Sequence, residues 1–211
     1  MSALSPLQER ILTALAGREP RWVLFGEAAL VGFVLPHRQT SDLDLCFRDR
    51  SVLGDASRCV EDRRRAAGLT FAELQTAPSF RRLRVVDPVA HGDAVIVDPE
   101  AEALAPSEPP TEPRPGLLVD TPHELLVQKL CALLSRSEVR DLADVGALLE
   151  AGGDLPRALA DAARRGGGFS PPTLAWVLQS FPVEQSAALG FDAARLAQTR
   201  DRLVAVLLQP A

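Results

Sequence analysis

Two aspartates separated by one residue are the feature of this sequence best suited to metal chemistry. They stand in the segment Ser41-Asp42-Leu43-Asp44-Leu45. Because alternate residues of a β-strand point to the same side, Asp42 and Asp44 would present their carboxylates together while the leucines face the core. Like charges this close are unfavourable without a positive counter-charge, which Mg²⁺ commonly supplies. The same D-x-D pattern also occurs in sugar transferases and at exposed strand ends.

A glycine at a predicted strand–helix turn lies upstream of the aspartate pair. Residues 22–25 form a short apolar run that predicts a buried strand, Gly26 ends it, and residues 27–34 are predicted to be helical. Backbone N–H groups at such a turn can bind a phosphate. Alternatively, Gly26 serves only to make the tight turn between strand and helix.

Two aspartates compete for the role of a third acid near the pair. Residues 82–86 and 94–97 predict an antiparallel hairpin with its turn at 88–92. Asp98 would mark the end of the second strand, beside the aspartate pair, and Asp87 lies on the partner strand. We favour Asp98, although either residue could simply cap a turn.

The elements that must position these residues divide the chain into two halves. A capping box formed by Ser5 and Gln8 predicts an N-terminal helix. Further strands are predicted at 43–47 and 70–74, a helix at 55–67, a proline-rich linker or surface loop at 105–115, and helices at 121–134, 139–150, 155–165, from 170 onward and at 191–208. The sequence therefore predicts an α+β protein, with an α/β domain of residues 1–115 and a helical domain of residues 116–211.

Composition restricts the classes of protein that fit. The chain has 211 residues, 46% of them hydrophobic, and a net charge of −5, which disfavours a general nucleic-acid coating protein. No apolar run approaches the roughly 18 residues of a membrane span, and the N-terminus lacks a signal-peptide pattern, so we expect a cytoplasmic protein without membrane contact. Local arginine clusters, such as Arg81-Arg82-Leu83-Arg84, are either solvated surface or contacts for a polyanion.

One basic residue differs in type from all the others. Of the 23 basic residues only Lys129 is a lysine, and the chain contains no tyrosine. A genome rich in G and C explains this bias, because it depletes the codons for lysine. A lysine retained under that pressure is nevertheless a candidate for a functional role.

Taken together, these motifs resemble those of a known enzyme superfamily. The glycine turn, the D-x-D strand and a later acid resemble the nucleotidyltransferases. The segment Lys129-Leu130-Cys131-Ala132-Leu133-Leu134-Ser135-Arg136, followed by Arg140-Asp141-Leu142-Ala143-Asp144, is similar to the K-x-x-A-L…R…R-D-x-x-D signature of the AbiEii/AbiGii-type toxin nucleotidyltransferases, which include the MenT-type toxins. Residues 37–45 also resemble that family's R-x-S-x-D-L-D-L region, with the serine displaced. The resemblance spans roughly residues 22–150.

The resemblance implies a fold, an activity and partners. The fold would be a nucleotidyltransferase-like mixed sheet with flanking helices, followed by a C-terminal helical bundle. The activity would be Mg²⁺-dependent transfer of nucleotides from an NTP to RNA, with the 3′ end of tRNA as acceptor and translation inhibited, within a toxin–antitoxin system that includes a cognate antitoxin. Asp42, Asp44 and Asp98 would hold the metal, and Asp98 would also help to deprotonate the attacking hydroxyl.

The resemblance also implies a set of nucleotide-binding residues. Lys129 would place a compact positive charge on the phosphates, which arginine mimics poorly. Arg38 would hold a phosphate or the acceptor, and Gly26 and Ser41 would belong to the nucleotide site. Asp144 would orient Lys129 or another group of the acceptor site, through a contact between helices.

The glycine turn departs from the family pattern. Relatives carry Gly-Gly followed by Ser or Thr, whereas this chain has Gly26-Glu27-Ala28. A hydroxyl is lost and a carboxylate is gained, which would repel phosphates if it faced them, or would merely favour the helix N-terminus. Two alternatives therefore stay open. One is a transferase acting on a small molecule, like the aminoglycoside-modifying relatives, and the other is a catalytically silent binding protein of the same fold.

Overall fold

The computed structural model describes residues 4–17, 21–47, 61–63, 65–89, 93–101, 105–165 and 168–209. The chain divides into two compact units, Met1–Thr121 and Pro122–Ala211. The first is an α/β unit and the second is helical, which confirms the predicted α+β class. The predicted boundary at 115/116 falls inside a β-hairpin of the first unit, six residues before the observed division.

The first unit is built on a mixed sheet. In the described residues its strands are β1 (Val23–Phe25), β2 (Asp42–Phe47), β3 (Thr70–Ala77), β4 (Phe80–Val86), β5 (Ala94–Ala101), β6 (Thr111–Arg114) and β7 (Leu117–Val119). They lie in the order β3-β4-β5-β2-β1-β7-β6. β2 pairs in parallel with β5 and antiparallel with β1, so the D-x-D strand occupies the middle of the sheet.

One face of this sheet is an apolar core. Its side chains without exposed surface include Leu24, Leu43, Leu45, Leu83 and Val97. Cross-strand pairing joins them across β1, β2, β5 and β4, and α1 (Pro6–Leu15) packs against β5 and β7. Because strand side chains alternate, burial of these residues forces the intervening polar residues onto the opposite face.

Several predicted elements need correction. The predicted helix at 27–34 is α2 (Gly26–Ala29) followed by a π-helical turn, Leu30–Val34, since Leu35 N bonds Leu30 O at 2.8 Å, five residues back. Of the predicted helix at 55–67, residues 61–63 and 65–66 are helical, and residues 55–60 and 64 lie outside the described part of the chain.

Part of the proline-rich segment is a β-strand. The prediction of a linker at 105–115 missed β6, and β7 follows it as the second strand of a hairpin. Proline removes a donor from a sheet ladder and is therefore confined to edges and irregular positions. β6 lies at the sheet edge, so Pro113 is accommodated there.

The second unit is a bundle of helices. Its described helices are α3 (Pro122–Arg136), α4 (Val139–Glu150), α5 (Leu155–Arg165), α6 (Pro171–Gln179), a 3₁₀ helix (Val183–Leu189) and α7 (Ala193–Leu207). α3 packs against α4, α5 and α6, while α7 packs against α4 and α6. Their bounds follow the predicted ones closely, and the 3₁₀ helix was not predicted. In the part of the chain that is described, no helix combines the length and apolar character that a membrane crossing needs.

Candidate active site

β2 presents the aspartate pair as its alternation predicts. Asp42 and Asp44 are partly exposed, whereas Leu43 and Leu45 are fully buried. The start of the strand is held by the fully buried Gln8, whose Nε2 donates to Thr40 O and Asp42 O, each at 3.2 Å. The same side chain completes the predicted capping box with Ser5. Gln8 therefore ties α1 to the strand that carries the carboxylates, a second role that the sequence did not indicate.

Asp98 lies beside the aspartate pair. In the parallel β2–β5 ladder Asp44 is the register partner of Asp98, so both side chains project from one face of adjacent strands. β5 continues to Ala101, so Asp98 stands within the strand and not at its predicted end. Asp87, the competing candidate, follows β4 and pairs with Arg10. We call Asp42, Asp44 and Asp98 the carboxylate cluster.

Arg82 supplies a positive charge to this cluster and was missed as a site residue. It lies on β4 and donates to Asp98 in a fork, with Nε 3.0 Å from Oδ1 and Nη2 2.7 Å from Oδ2. The hydrogen bonds and charge of Asp98, together with the charges of Asp42 and Asp44, raise the pKa of Arg82, outweighing the opposing effect of desolvation. The sequence contains an arginine on the strand predicted to pair antiparallel with the strand of Asp98, but it does not give the register of that pairing.

The carboxylate cluster has the chemistry of a site for a hard divalent cation. It offers carboxylate oxygens from neighbouring strands, which Mg²⁺ prefers, and it already attracts a guanidinium cation. Within the described ranges no three His, Cys, Asp or Glu side chains converge in a metal-binding arrangement. Asp98 is instead engaged by Arg82. The donor types therefore suit a hard divalent cation, although Arg82 now engages one of the three carboxylates.

Both the backbone conformation at position 26 and the nearby side chain of Asp44 favour glycine there. Its φ of +63° lies in the left-handed region, and a Cβ at this position would overlap Oδ2 of Asp44. The glycine turn between β1 and α2 thus allows the carboxylate of Asp44 to lie directly against the backbone. This close packing explains the glycine without reference to a phosphate, and its predicted nucleotide-binding role stays a prediction.

Glu27, the acid that departs from the family pattern, has an arginine partner. It forms an ion pair with Arg38, and each side chain is 16% exposed. Arg38 is therefore engaged within the protein, and its charge compensates the added carboxylate beside the glycine turn. Ser41 is exposed and its Oγ donates to Asp42 Oδ1 at 2.9 Å, so it orients one member of the carboxylate cluster. The proposed contacts of Arg38 and Ser41 with a nucleotide stay predictions.

The remaining predicted site residues meet in the helical unit. Lys129 on α3 is buried, with Nζ 2.7 Å from Asp144 and 3.0 Å from Asp141, both on α4. The contact between Lys129 and Asp144 is the interhelical one that was expected. Arg136 completes the group by donating twice to Asp141 at 2.8 Å. These four residues form what we call the lysine cluster, whose two positive and two negative charges balance.

The neighbouring positive charges favour the ionised form of the Asp141 carboxylate despite its burial. Burial alone would raise the pKa of Asp141, but the hydrogen bonds and charges of Arg136 and Lys129 more than reverse that effect and hold this pKa below its ordinary range. Arg140 pairs with Glu138 at the surface of α4. Arg136 was not among the predicted site residues. It is the last residue of the helix that carries Lys129, which the sequence could indicate, but the direction of its side chain could not be predicted.

Comparison with known proteins gives a match to a protein family and a likeness to solved structures. The chain matches the family described as nucleotidyl transferase AbiEii toxin, type IV toxin–antitoxin system, over residues 10–204. No protein of curated function matches it by sequence. Among solved structures it is similar to MenT4, a nucleotidyltransferase toxin from Mycobacterium tuberculosis, with a TM-score of 0.69, 19% identity, and coverage of 97% of this chain and 83% of that one.

A second solved structure shows the same fold in another organism. JHP933 from Helicobacter pylori gives a TM-score of 0.54 at 20% identity, covering 95% of this chain and 90% of that one. At these identities the structural likenesses show the fold, whereas the family match extends over most of the sequence, from the N-terminal helix to the last one. The chain therefore belongs to the AbiEii nucleotidyltransferase toxins of type IV toxin–antitoxin systems.

Proposed function

We propose that this toxin nucleotidyltransferase uses Mg²⁺ to transfer nucleotides from an NTP to RNA in the cytoplasm, with the 3′ end of tRNA as acceptor, and so inhibits translation until its cognate antitoxin intervenes. The observation that supports this most strongly is the carboxylate cluster, in which Asp44 and Asp98 are in register on adjacent strands of the central sheet. The choice of tRNA rests on the likeness to MenT-type toxins.

Nucleotidyl transfer asks a protein chiefly for alignment and charge stabilisation. Asp42, Asp44 and Asp98 would hold the metal, which when bound neutralises phosphate charge and lowers the pKa of an attacking hydroxyl. Asp98 would accept the proton of that hydroxyl, and Ser41 would keep Asp42 oriented through its hydrogen bond. Gly26 and Arg38 keep their proposed roles in binding the nucleotide.

Lys129 and Asp144 also keep their proposed nucleotide-binding roles. The short distance between them, 2.7 Å, supports the expectation that Asp144 orients the ammonium group. Both side chains are held by helices that pack against each other, so their positions are fixed before any substrate arrives.

The test is transfer of α-³²P label from each of the four NTPs, separately, to purified total tRNA in the presence of Mg²⁺. Wild-type protein should label tRNA with at least one nucleotide, and Asp42→Ala should abolish the label. Asp93→Ala is the matched control, because Asp93 is an exposed aspartate immediately before β5, outside the carboxylate cluster. RNA that stays unlabelled with every NTP would contradict the RNA acceptor and favour a small-molecule acceptor.

A further inference from the structure

The side chain of Arg82 places a positive charge beside the carboxylate cluster, where a bound cation would otherwise be expected. Its guanidinium satisfies both oxygens of Asp98, which is only 10% exposed, while its own side chain is 45% exposed. The charges of Asp42 and Asp44 also act on it. One covalently attached cation therefore balances part of the charge of all three members of the carboxylate cluster.

A guanidinium and a metal ion compete for the charge and the lone pairs of the same carboxylate. Each needs the lone pairs of Asp98, and a guanidinium has only donors, so it cannot share in coordinating a metal. Two positive charges also repel one another at such short range. The fork already occupies lone pairs on both oxygens of Asp98, so a metal ion bound to this carboxylate would compete with Arg82 for it.

We propose that Arg82 is the resident counter-cation of the carboxylate cluster, that it must release Asp98 before the cluster binds a divalent cation, and that the released guanidinium then contacts the polyphosphate of the NTP. This inference rests on the proposed function. It makes Arg82 a nucleotide-binding residue that links occupancy of the metal site to binding of the nucleotide.

The position of Arg82 also suits the proposed contact with the polyphosphate. The side chain extends from β4, the strand next to Asp98, and its partial exposure leaves it room to turn toward solvent. Arginine binds phosphate through two parallel hydrogen bonds, with the same fork that it offers to a carboxylate. An incoming triphosphate would thus replace the carboxylate as the partner of the guanidinium.

The proposal predicts that loss of the Arg82 guanidinium strengthens metal binding and weakens polyphosphate binding. A purely structural role would not produce effects of opposite sign. Isothermal titration calorimetry with Mn²⁺ alone, on the full chain, should show about tenfold tighter binding in Arg82→Gln than in wild type. With saturating Mg²⁺, inorganic tripolyphosphate should bind about tenfold more weakly to the same variant. Arg82→Lys, which keeps the charge without the fork, should bind Mn²⁺ with intermediate affinity.

Arg84→Gln is the matched control. Arg84 is exposed two residues along the same strand, and its loss removes one positive charge while the fork to Asp98 remains. It should leave the Mn²⁺ affinity near that of wild type. If Arg82→Gln and Arg84→Gln tighten Mn²⁺ binding equally, or if Arg82→Gln leaves it unchanged or weaker, the inference is wrong while the proposed function stands. If no variant binds Mn²⁺, the metal-dependent function fails as well.

Discussion

Gly26 and Asp44 illustrate how single residues shape this site. The left-handed backbone of Gly26 brings the turn after β1 against the carboxylate of Asp44. Glycine is the residue that permits both features at once, because any side chain would meet the carboxylate. The position of the Asp44 carboxylate is therefore fixed partly by Gly26, which lies in the turn between β1 and α2.

Replacing Gly26 with alanine should affect both stability and metal binding. The left-handed conformation alone is expected to lower the free energy of unfolding by about 1–2 kcal/mol. The added Cβ would also displace the Asp44 carboxylate, so Mn²⁺ binding measured by calorimetry should fall at least about tenfold.

Gly68→Ala separates these two effects. Gly68 has a φ of +72°, and in the described structure its Cβ position is surrounded by open space. This control should lose similar stability in urea unfolding while retaining Mn²⁺ affinity. If Gly26→Ala binds Mn²⁺ as well as Gly68→Ala does, Asp44 does not belong to the metal site.

The pair formed by Glu27 and Arg38 predicts compensation between two substitutions. Arg38→Ala should leave the Glu27 charge unneutralised beside the glycine turn and weaken NTP binding about tenfold, or ~1.4 kcal/mol. Adding Glu27→Gln should restore part of that affinity, because the repelling charge is then gone. A double-mutant cycle from NTP titrations measures this coupling. Strictly additive effects would show that Glu27 does not influence the nucleotide.

At the scale of elements, packing between α3 and α4 depends on the lysine cluster. Asp141 and Asp144 have no exposed surface, and Lys129 is only 4% exposed. Breaking one partner of a buried ion pair leaves an uncompensated charge in the interior, which is far more destabilising than losing a surface pair. These charges therefore hold the two helices in one relative position.

Asp141→Asn should lower the free energy of unfolding by about 3 kcal/mol at neutral pH. Because the folded-state pKa of Asp141 is lowered, its contribution is complete above the unfolded-state pKa, near 4, and disappears as the pH falls through the lower folded-state value. Urea unfolding of both proteins from pH 7 to pH 3 measures the difference. A difference that grows toward low pH would contradict the assigned sign.

Local sequence patterns predicted the elements that carry the site, but not every contact between them. The alternation of leucine and aspartate was enough to place Asp42 and Asp44 on one face of β2, because the burial of the leucines fixes the register. The edge strand β6 was missed because the prolines of residues 105–115 suggest a loop, although sheet edges tolerate a proline such as Pro113. The π-helical turn after α2 was missed because apolar spacing does not distinguish it from an α-helix.

The contact of Arg82 with Asp98 lies beyond what such patterns specify. The two residues are 16 positions apart, and their contact depends on the register of the β4–β5 hairpin. A change of register by one residue would have turned Arg82 to the other face of the sheet. The contact of Lys129 with Asp144 was predictable, since the family resemblance marked both residues.

At the scale of the whole molecule, two compact units each bring together part of the predicted residue set. The α/β unit holds the carboxylate cluster with Gly26 and Arg82, and the helical unit holds the lysine cluster. The family match covers residues 10–204 and so includes both. The residues proposed for nucleotide transfer therefore lie in both units.

The most direct test of the central claim is the rate at which Asp44→Asn transfers the wild-type nucleotide to total tRNA. The substitution keeps the shape that packs against Gly26 and removes only the charge, so folding should be preserved. We predict a rate at least about 10²-fold below that of wild type, while Asp93→Asn transfers normally. Transfer by Asp44→Asn at the wild-type rate, or no transfer to RNA by wild-type protein, would contradict the claim that this carboxylate cluster drives nucleotide addition to RNA.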